Sequence, residues 1–258
     1  MTSKVEPSVL TSPSGPTTGP VAAVLAMSAP ITTAIGHFWN SPEYPDNSTV
    51  ETMVDGELHL ARQWQINSAG TWLHAADRLT RGERIRVEPA EIALDIRDAE
   101  LEQDGAAHLG VDAWAEAVRR HGERLGWDQE QTESVVRCAV KAFHVERQLH
   151  ADGLLPDDER LVTLFAYDLT AAAFLLHSGV RMRYADAATI ETMLDALWHN
   201  ASTAYRDWAS FGAAYIAASS MLLGGYPTDS HYEAPATTVD RLLSSPTSPW
   251  TAVAFPSA

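Results

Sequence analysis

Apolar residues recur at spacings of three and four along almost the whole chain, and stretches with the two-residue alternation of a half-buried strand are scarce. The pattern predicts an all-α protein, with helices over 22–38, 50–63, 68–82, 88–104, 111–125, 128–152, 157–178, 186–200 and 202–223. Start and stop signals agree with it. Asp128 followed by Gln131 reads as a capping box, Asp186 and Ser202 suit N-cap positions, and Gly153, Gly179 and Gly224-Gly225 fall where helices should stop. The ends differ. Residues 1–20 are rich in Ser, Thr, Pro and Gly and are expected to be disordered, while five prolines in 226–258 argue for an irregular tail. What remains, 21–225, is long enough for a single compact helical domain.

Two of the predicted helices carry unusual faces. In 157–178 an apolar stripe of Leu161, Leu164, Phe165, Ala172, Leu175 and Leu176 has Asp168 in its middle. A carboxylate in such a stripe points inward, and an unpartnered one costs several kcal/mol in desolvation, so some group must donate to it. From 198 onward Trp198, Ala201, Tyr205, Trp208, Gly212, Tyr215, Ser219 and Leu222 follow at spacings of three and four, as one continuous face. Tyr205, Trp208 and Tyr215 each hold a polar tip on an apolar ring. The face is therefore expected to pack on the Asp168 helix and to supply its hydrogen bond, with Arg181, Arg183 and Arg206 as rival donors. This is a helix–helix seam, a structural arrangement.

Charge narrows the partners. Eighteen Lys and Arg stand against 34 Asp and Glu, a net charge of -16, which repels nucleic acid and anionic membrane surfaces at long range. The densest basic run, Arg78, Arg81, Arg84 and Arg86, is interleaved with Glu83 and Glu88 and reads as a solvated helix end. The single cysteine, Cys138, excludes an internal disulfide framework and reads as a small buried hydrophobe. Residues 21–36 are apolar enough to suggest a secretory segment, but the leader holds one lysine and Pro30 interrupts the run. No stretch has the uninterrupted apolar length of a membrane span. A cytoplasmic protein is expected.

Catalytic and metal signatures are absent from the sequence. There is no nucleophile elbow, phosphate-binding loop, dinucleotide fingerprint or paired-histidine zinc motif. No two of the ten histidines lie three or four apart, and acids three or four from a histidine occur no more often than 34 acids in 258 residues place them by chance. No cofactor, metal or catalytic residue is therefore assigned.

The residues of the two striped helices carry a resemblance. Tyr167-Asp168, then His177-Ser178-Gly179, then Tyr205-Arg206-Asp207-Trp208 and Tyr215 resemble the motifs of the bacterial DUF1266 family, a domain of unknown function. Upstream, Trp64-Gln65-Ile66 is similar to the Trp-Gly-Ile turn that the family tends to place before a helix. The likeness spans about 55–225. Two positions depart from it: the family tends to carry an Arg one turn after the Asp and a Gly-Arg after the last Tyr, where this chain has Ala171 and Ala218-Ser219. The resemblance implies an all-helical cytoplasmic protein and brings no catalytic residue with it.

Three classes of function stay open. The first is a protein-interaction domain without catalysis. The second is an enzyme that binds a small molecule in a pocket of Asp168, Tyr205 and Trp208. The third is an acidic immunity-type or secretion-associated protein that neutralises a basic partner, motivated by charge alone. Motif residues Trp64, Tyr167, Asp168, Tyr205, Trp208 and Tyr215 are expected to do structural work.

Overall fold

The computed structural model of the chain describes residues 8–45, 62, 64–105, 108–223 and 230–257. Among these, regular structure is helical throughout, and extended pairing is limited to an isolated bridge between Leu10 and Phe38. The helix predicted over 50–63 lies outside the described residues apart from Arg62. Contacts divide the chain into two compact units, each discontinuous in sequence.

The first unit comprises the chain up to Gly82, Asp168–Trp208 and Thr238–Ala258. The helix expected over 22–38 is two helices, α1 (Gly19–Ala26) and α2 (Ala29–Ala34). Pro30 has no N–H to continue the ladder, and Ser28 Oγ takes up the Leu25 carbonyl at the break. The residues before α1, expected to be disordered, are held from Leu10 onward. Ser12 and Asn40 exchange two hydrogen bonds of 2.8 and 3.0 Å, and Trp39 donates to Thr11 at 2.9 Å. Helix α3 (Ala69–Thr80) starts at a Ser68–Thr71 capping box. Helix α8 (Ala187–Ala204) starts at Asp186, which accepts from the Thr189 N–H, and it packs on α1 and α3. Ser202 is inside α8 and bonds back to His199 O, so it does not cap a new helix.

Helix α7 (Ala166–Arg181) runs three residues beyond its predicted end and starts nine residues after its predicted beginning. Gly179 does not stop it. The fully buried Trp72 of α3 gives its indole N–H to Leu175 O at 3.0 Å, and its ring lies so close to Gly179 that a Cβ there would overlap it. The glycine admits a neighbouring ring; it does not turn the chain.

The second unit comprises Glu83–Tyr167 and Ala209–Thr237. A 3-10 turn over Ile85–Val87 leads into α4 (Pro89–Asp104), which packs with α5 (Val111–Leu125) and α6 (Gln129–Ala151). The predicted Asp128–Gln131 capping box opens α6. Trp114 of α5 is fully buried and donates to Ala93 O of α4 at 2.8 Å. Helix α9 (Trp208–Leu223) joins α6 through Lys141 Nζ, which donates to Ser220 O at 2.7 Å.

Residues 157–165, expected to begin the α7 helix, are instead tied to α4 and α6. The buried Glu91 accepts from Leu164 N–H at 2.8 Å and from the Thr163 hydroxyl. Glu146 accepts from Leu161 N–H at 2.9 Å and from Arg97 at 2.8 Å, and Arg97 also donates to Leu161 O. With the backbone groups of Leu161 and Leu164 engaged by remote side chains, the helix can begin only at Ala166.

The C-terminal stretch also departs from expectation. It holds α10 (Ser230–Ser244), with Pro235 inside it, and α11 (Pro249–Ala252). A proline in a helix interior costs about 3 kcal/mol, and burying an apolar side chain returns about 1.5–3 kcal/mol. Tyr232, Ala236, Val239 and Leu242, at helical spacing, are all buried and offset the proline.

Candidate functional site

Asp168 is fully buried, and it lies in the first turn of α7. The sequence pattern had put it mid-helix; the late start of α7 moves it to the end where backbone N–H groups are unpaired and the helix dipole favours an anion. Its neighbour Tyr167 belongs to the second unit. There its ring stacks on Tyr215 with centroids 5.9 Å apart and planes 15° apart, and the Arg84 guanidinium lies 4.8 Å from its centroid. Arg84 is thus half-buried against a ring, not a free member of a solvated basic run. Burial raises the Tyr215 phenol above its ordinary range, with Tyr167 adding to the effect and a hydrogen bond with Ser219 opposing it. The Tyr215 ring stays neutral.

The face expected to run unbroken from Trp198 to Leu222 is interrupted. Tyr205 is extended, at φ -136° and ψ 150°, where it caps α8, and α9 restarts at Trp208. Tyr205 is buried in the first unit. Trp208 stacks on Trp250 at 5.1 Å and 8°, meets Phe255 edge-on at 4.8 Å, and donates its indole N–H to Val253 O at 2.8 Å. Trp250 in turn donates to Ala26 O at 2.8 Å. Trp208 therefore anchors the C-terminal segment. Of the rival donors, Arg181 gives its Nε–H to Pro42 O and a second N–H to Tyr44 Oη, both at 2.9 Å, and Arg206 pairs with Asp207 at 3.0 Å.

Trp64 is half-buried in the turn before α3, and Gln65 beside it adopts φ 54°. That left-handed conformation is the one glycine takes without steric cost. Where the resembled turn has a glycine, this chain places a glutamine in that conformation.

A polar cluster that the sequence did not announce lies around His177. The ring is buried, and Nε2 is 3.2 Å from Ser28 Oγ, itself fully buried. Burial, and then the Arg181 charge, hold the imidazole down at about 4 and keep it neutral; backbone contacts with Ser41 and Trp39 pull the other way. His37, edge-on to Tyr44 at 5.2 Å, is held at about 4 by the same two causes. Ser28 and His177 have the spacing of a nucleophile and its base, but the Ser28 hydroxyl donates to Leu25 O at 2.7 Å, so its proton is already committed. The pairing spans 149 residues, which explains why no local signal marked it.

Open space is found elsewhere. A groove of about 390 Å³ runs between α3 and α8 in the first unit. Leu73, Met193, Ala188 and Ala196 give it apolar walls, Thr80, Thr189 and Thr192 add hydroxyls, and Asp77 and Asp186 bring carboxylates to it. None of the six motif residues lines it. Cys138 is half-buried, and burial raises its thiol pKa against the lowering pull of Lys141 and Arg137, so it is no activated nucleophile. Among the described residues, no three of His, Cys, Asp and Glu gather as a metal-binding group, and no helix is long and apolar enough to cross a membrane.

The sequence model of the family described as "Protein of unknown function (DUF1266)" matches residues 59–255. The match reaches the Trp208–Trp250–Phe255 cluster, thirty residues past the limit expected from the motifs. No curated protein and no solved structure matches the chain.

Proposed function

We propose that this chain, which belongs to the DUF1266 family, is a protein-interaction domain without catalysis. The observation that carries the reading is the complete burial of Asp168, the acid that an enzyme would have to present to substrate. The rings grouped with it by motif are engaged as well: Trp208 with Val253 O, Tyr167 with Tyr215. Chemistry at that location would need a path that a fully buried carboxylate lacks. Function then falls to the surface, and the surface is acidic. A net charge of -16 steers a basic partner toward the chain and repels nucleic acid and anionic lipid. An acidic immunity-type protein is the special case in which that partner is a basic toxin. A cytoplasmic setting suits a chain whose only cysteine is free.

The test is purification of the tagged chain from its native cells after chemical cross-linking, followed by reconstitution from two purified proteins. The reading expects one stoichiometric protein partner, whose affinity falls as salt rises. Turnover of a small molecule by the purified chain, abolished by Asp168→Asn without loss of fold, would overturn it.

A further inference from the structure

We infer that the groove between α3 and α8 is the docking site for a partner segment in which a single bulky apolar side chain is flanked by Lys or Arg. The inference rests on the interaction reading and names its surface. Leu73, 48% exposed on one wall, and the buried Met193 of the facing helix together give the groove an apolar lining open to solvent. At about 390 Å³ the space sits near the lower end of the range for ligand sites, enough for one anchoring side chain and too little for a helix laid along it. The rim decides the charge of the occupant. Asp186 is exposed and accepts the Thr189 N–H at 2.8 Å, and its hydrogen bonds with Thr189 hold the carboxyl below its ordinary pKa, so it stands at the rim as a charge. Asp77 holds Arg81 at 2.7 Å in an exposed pair, weak enough for an incoming cation to share.

Charge also rules out a second copy of this chain as occupant. Each copy brings -16, and an acidic face set against two carboxylates gains nothing to offset that repulsion. A heterologous basic segment meets both the apolar walls and the rim.

Selection of phage-displayed random dodecapeptides on the whole chain tests this directly. The expected winners place Leu, Met or Phe next to Lys or Arg. The selected peptide, labelled and titrated, should lose about tenfold in affinity on Leu73→Gln, the loss expected when an anchor no longer buries its apolar surface. Asp186→Ser keeps the helix cap, because serine accepts the same N–H, and removes the charge. It should weaken binding in low salt and matter little in high salt. Both positions are solvated enough for the variants to melt like the parent. Winners without basic residues, or a peptide that binds both variants as well as the parent, overturn the proposal. A native partner that survives both variants overturns the groove alone, whereas a chain that recruits no protein and turns over a small molecule overturns the interaction reading itself.

Discussion

The Trp72 ring occupies the space where Gly179 would carry a side chain, and its indole N–H reaches Leu175 O one turn earlier on the same helix. Helices α3 and α7 are thereby locked at one register within the first unit. A methyl at Gly179 must displace either the ring or the helix, and overpacking of this kind costs about 1–3 kcal/mol. Gly179→Ala is expected to lower the denaturation midpoint by that amount. Gly179→Ala combined with Trp72→Phe, which shortens the ring, should recover part of it. An unchanged midpoint for the single variant would show that the contact yields freely.

Trp208 ties the last residues of the chain to the first unit by one hydrogen bond and two ring contacts. Removing it takes away the stack on Trp250 and leaves the Val253 carbonyl without its donor. Trp208→Ala should cost about 3–5 kcal/mol and expose the segment after Ser248. Hydrogen exchange and limited proteolysis read the second effect: residues 249–257 should exchange and be cut first, while α4–α6 stay protected. Equal protection of that segment in variant and parent would remove Trp208 from this role.

Arg97 is buried beneath Leu161 with two acids, Glu146 at 2.8 Å and Asp98 at 3.5 Å. Truncating Glu146 leaves the buried guanidinium only its longer contact with Asp98, and losing one partner of a buried pair costs about 3–5 kcal/mol. Glu146→Ala should fall in that range, and it should also loosen the segment before α7, because Glu146 accepts the Leu161 N–H as well. The pair Glu146→Leu with Arg97→Met should cost less than Glu146→Ala alone. A double variant as unstable as the single one would mean that the backbone bonds, not the charge, set the cost.

These clamps mark where the sequence stopped being legible. Periodicity located α3 through α6 and α8 within a few residues, because their buried faces are built from local spacing and their starts from local caps such as Asp128 and Asp186. The beginning of α7 was misread because Glu91 and Arg97, charged residues in a helix, look like a solvated face until partners 64 to 73 residues away are known. The C-terminal helices were missed for the converse reason. Proline count argued against them locally, while Tyr232 and Trp250 find their partners, Asp152 and Ala26, far along the chain. Asp168 was correctly expected to be buried, yet its place in the helix depended on that same misread start. The His177–Ser28 contact and the α3–α8 groove had no local signature at all.

The two depressed histidines make a pH prediction. In the unfolded chain an imidazole takes up its proton near pH 6.5; in the folded chain His177 and His37 do so only near 4. Between those values the unfolded state holds more protons, so stability is full above about pH 6.5 and falls as pH drops toward 4. For the fully buried His177 the loss by pH 5 is on the order of 2 kcal/mol. Urea titrations at pH 7 and pH 5 should show it, and His177→Gln, which can still bond Ser28, should flatten the dependence. A variant with the parent's slope would assign the titration to other groups.

Asp168→Asn separates the structural acid from a functional one. The substitution preserves shape, removes the charge from the first turn of α7, and exchanges one acceptor oxygen for a donor in a place without solvent. A charge at a helix N-terminus contributes about 0.3–1 kcal/mol when exposed and up to about 2 kcal/mol when partly buried, and a mismatched buried polar group costs about 1–3 kcal/mol. The expected loss is therefore about 1–5 kcal/mol, read as a shift in urea midpoint with little change in slope. Partner binding, measured well below that midpoint, should be unchanged, because the acid is fully buried. The opposite pattern, parental stability with partner binding lost, would make Asp168 a binding residue and reverse the structural assignment.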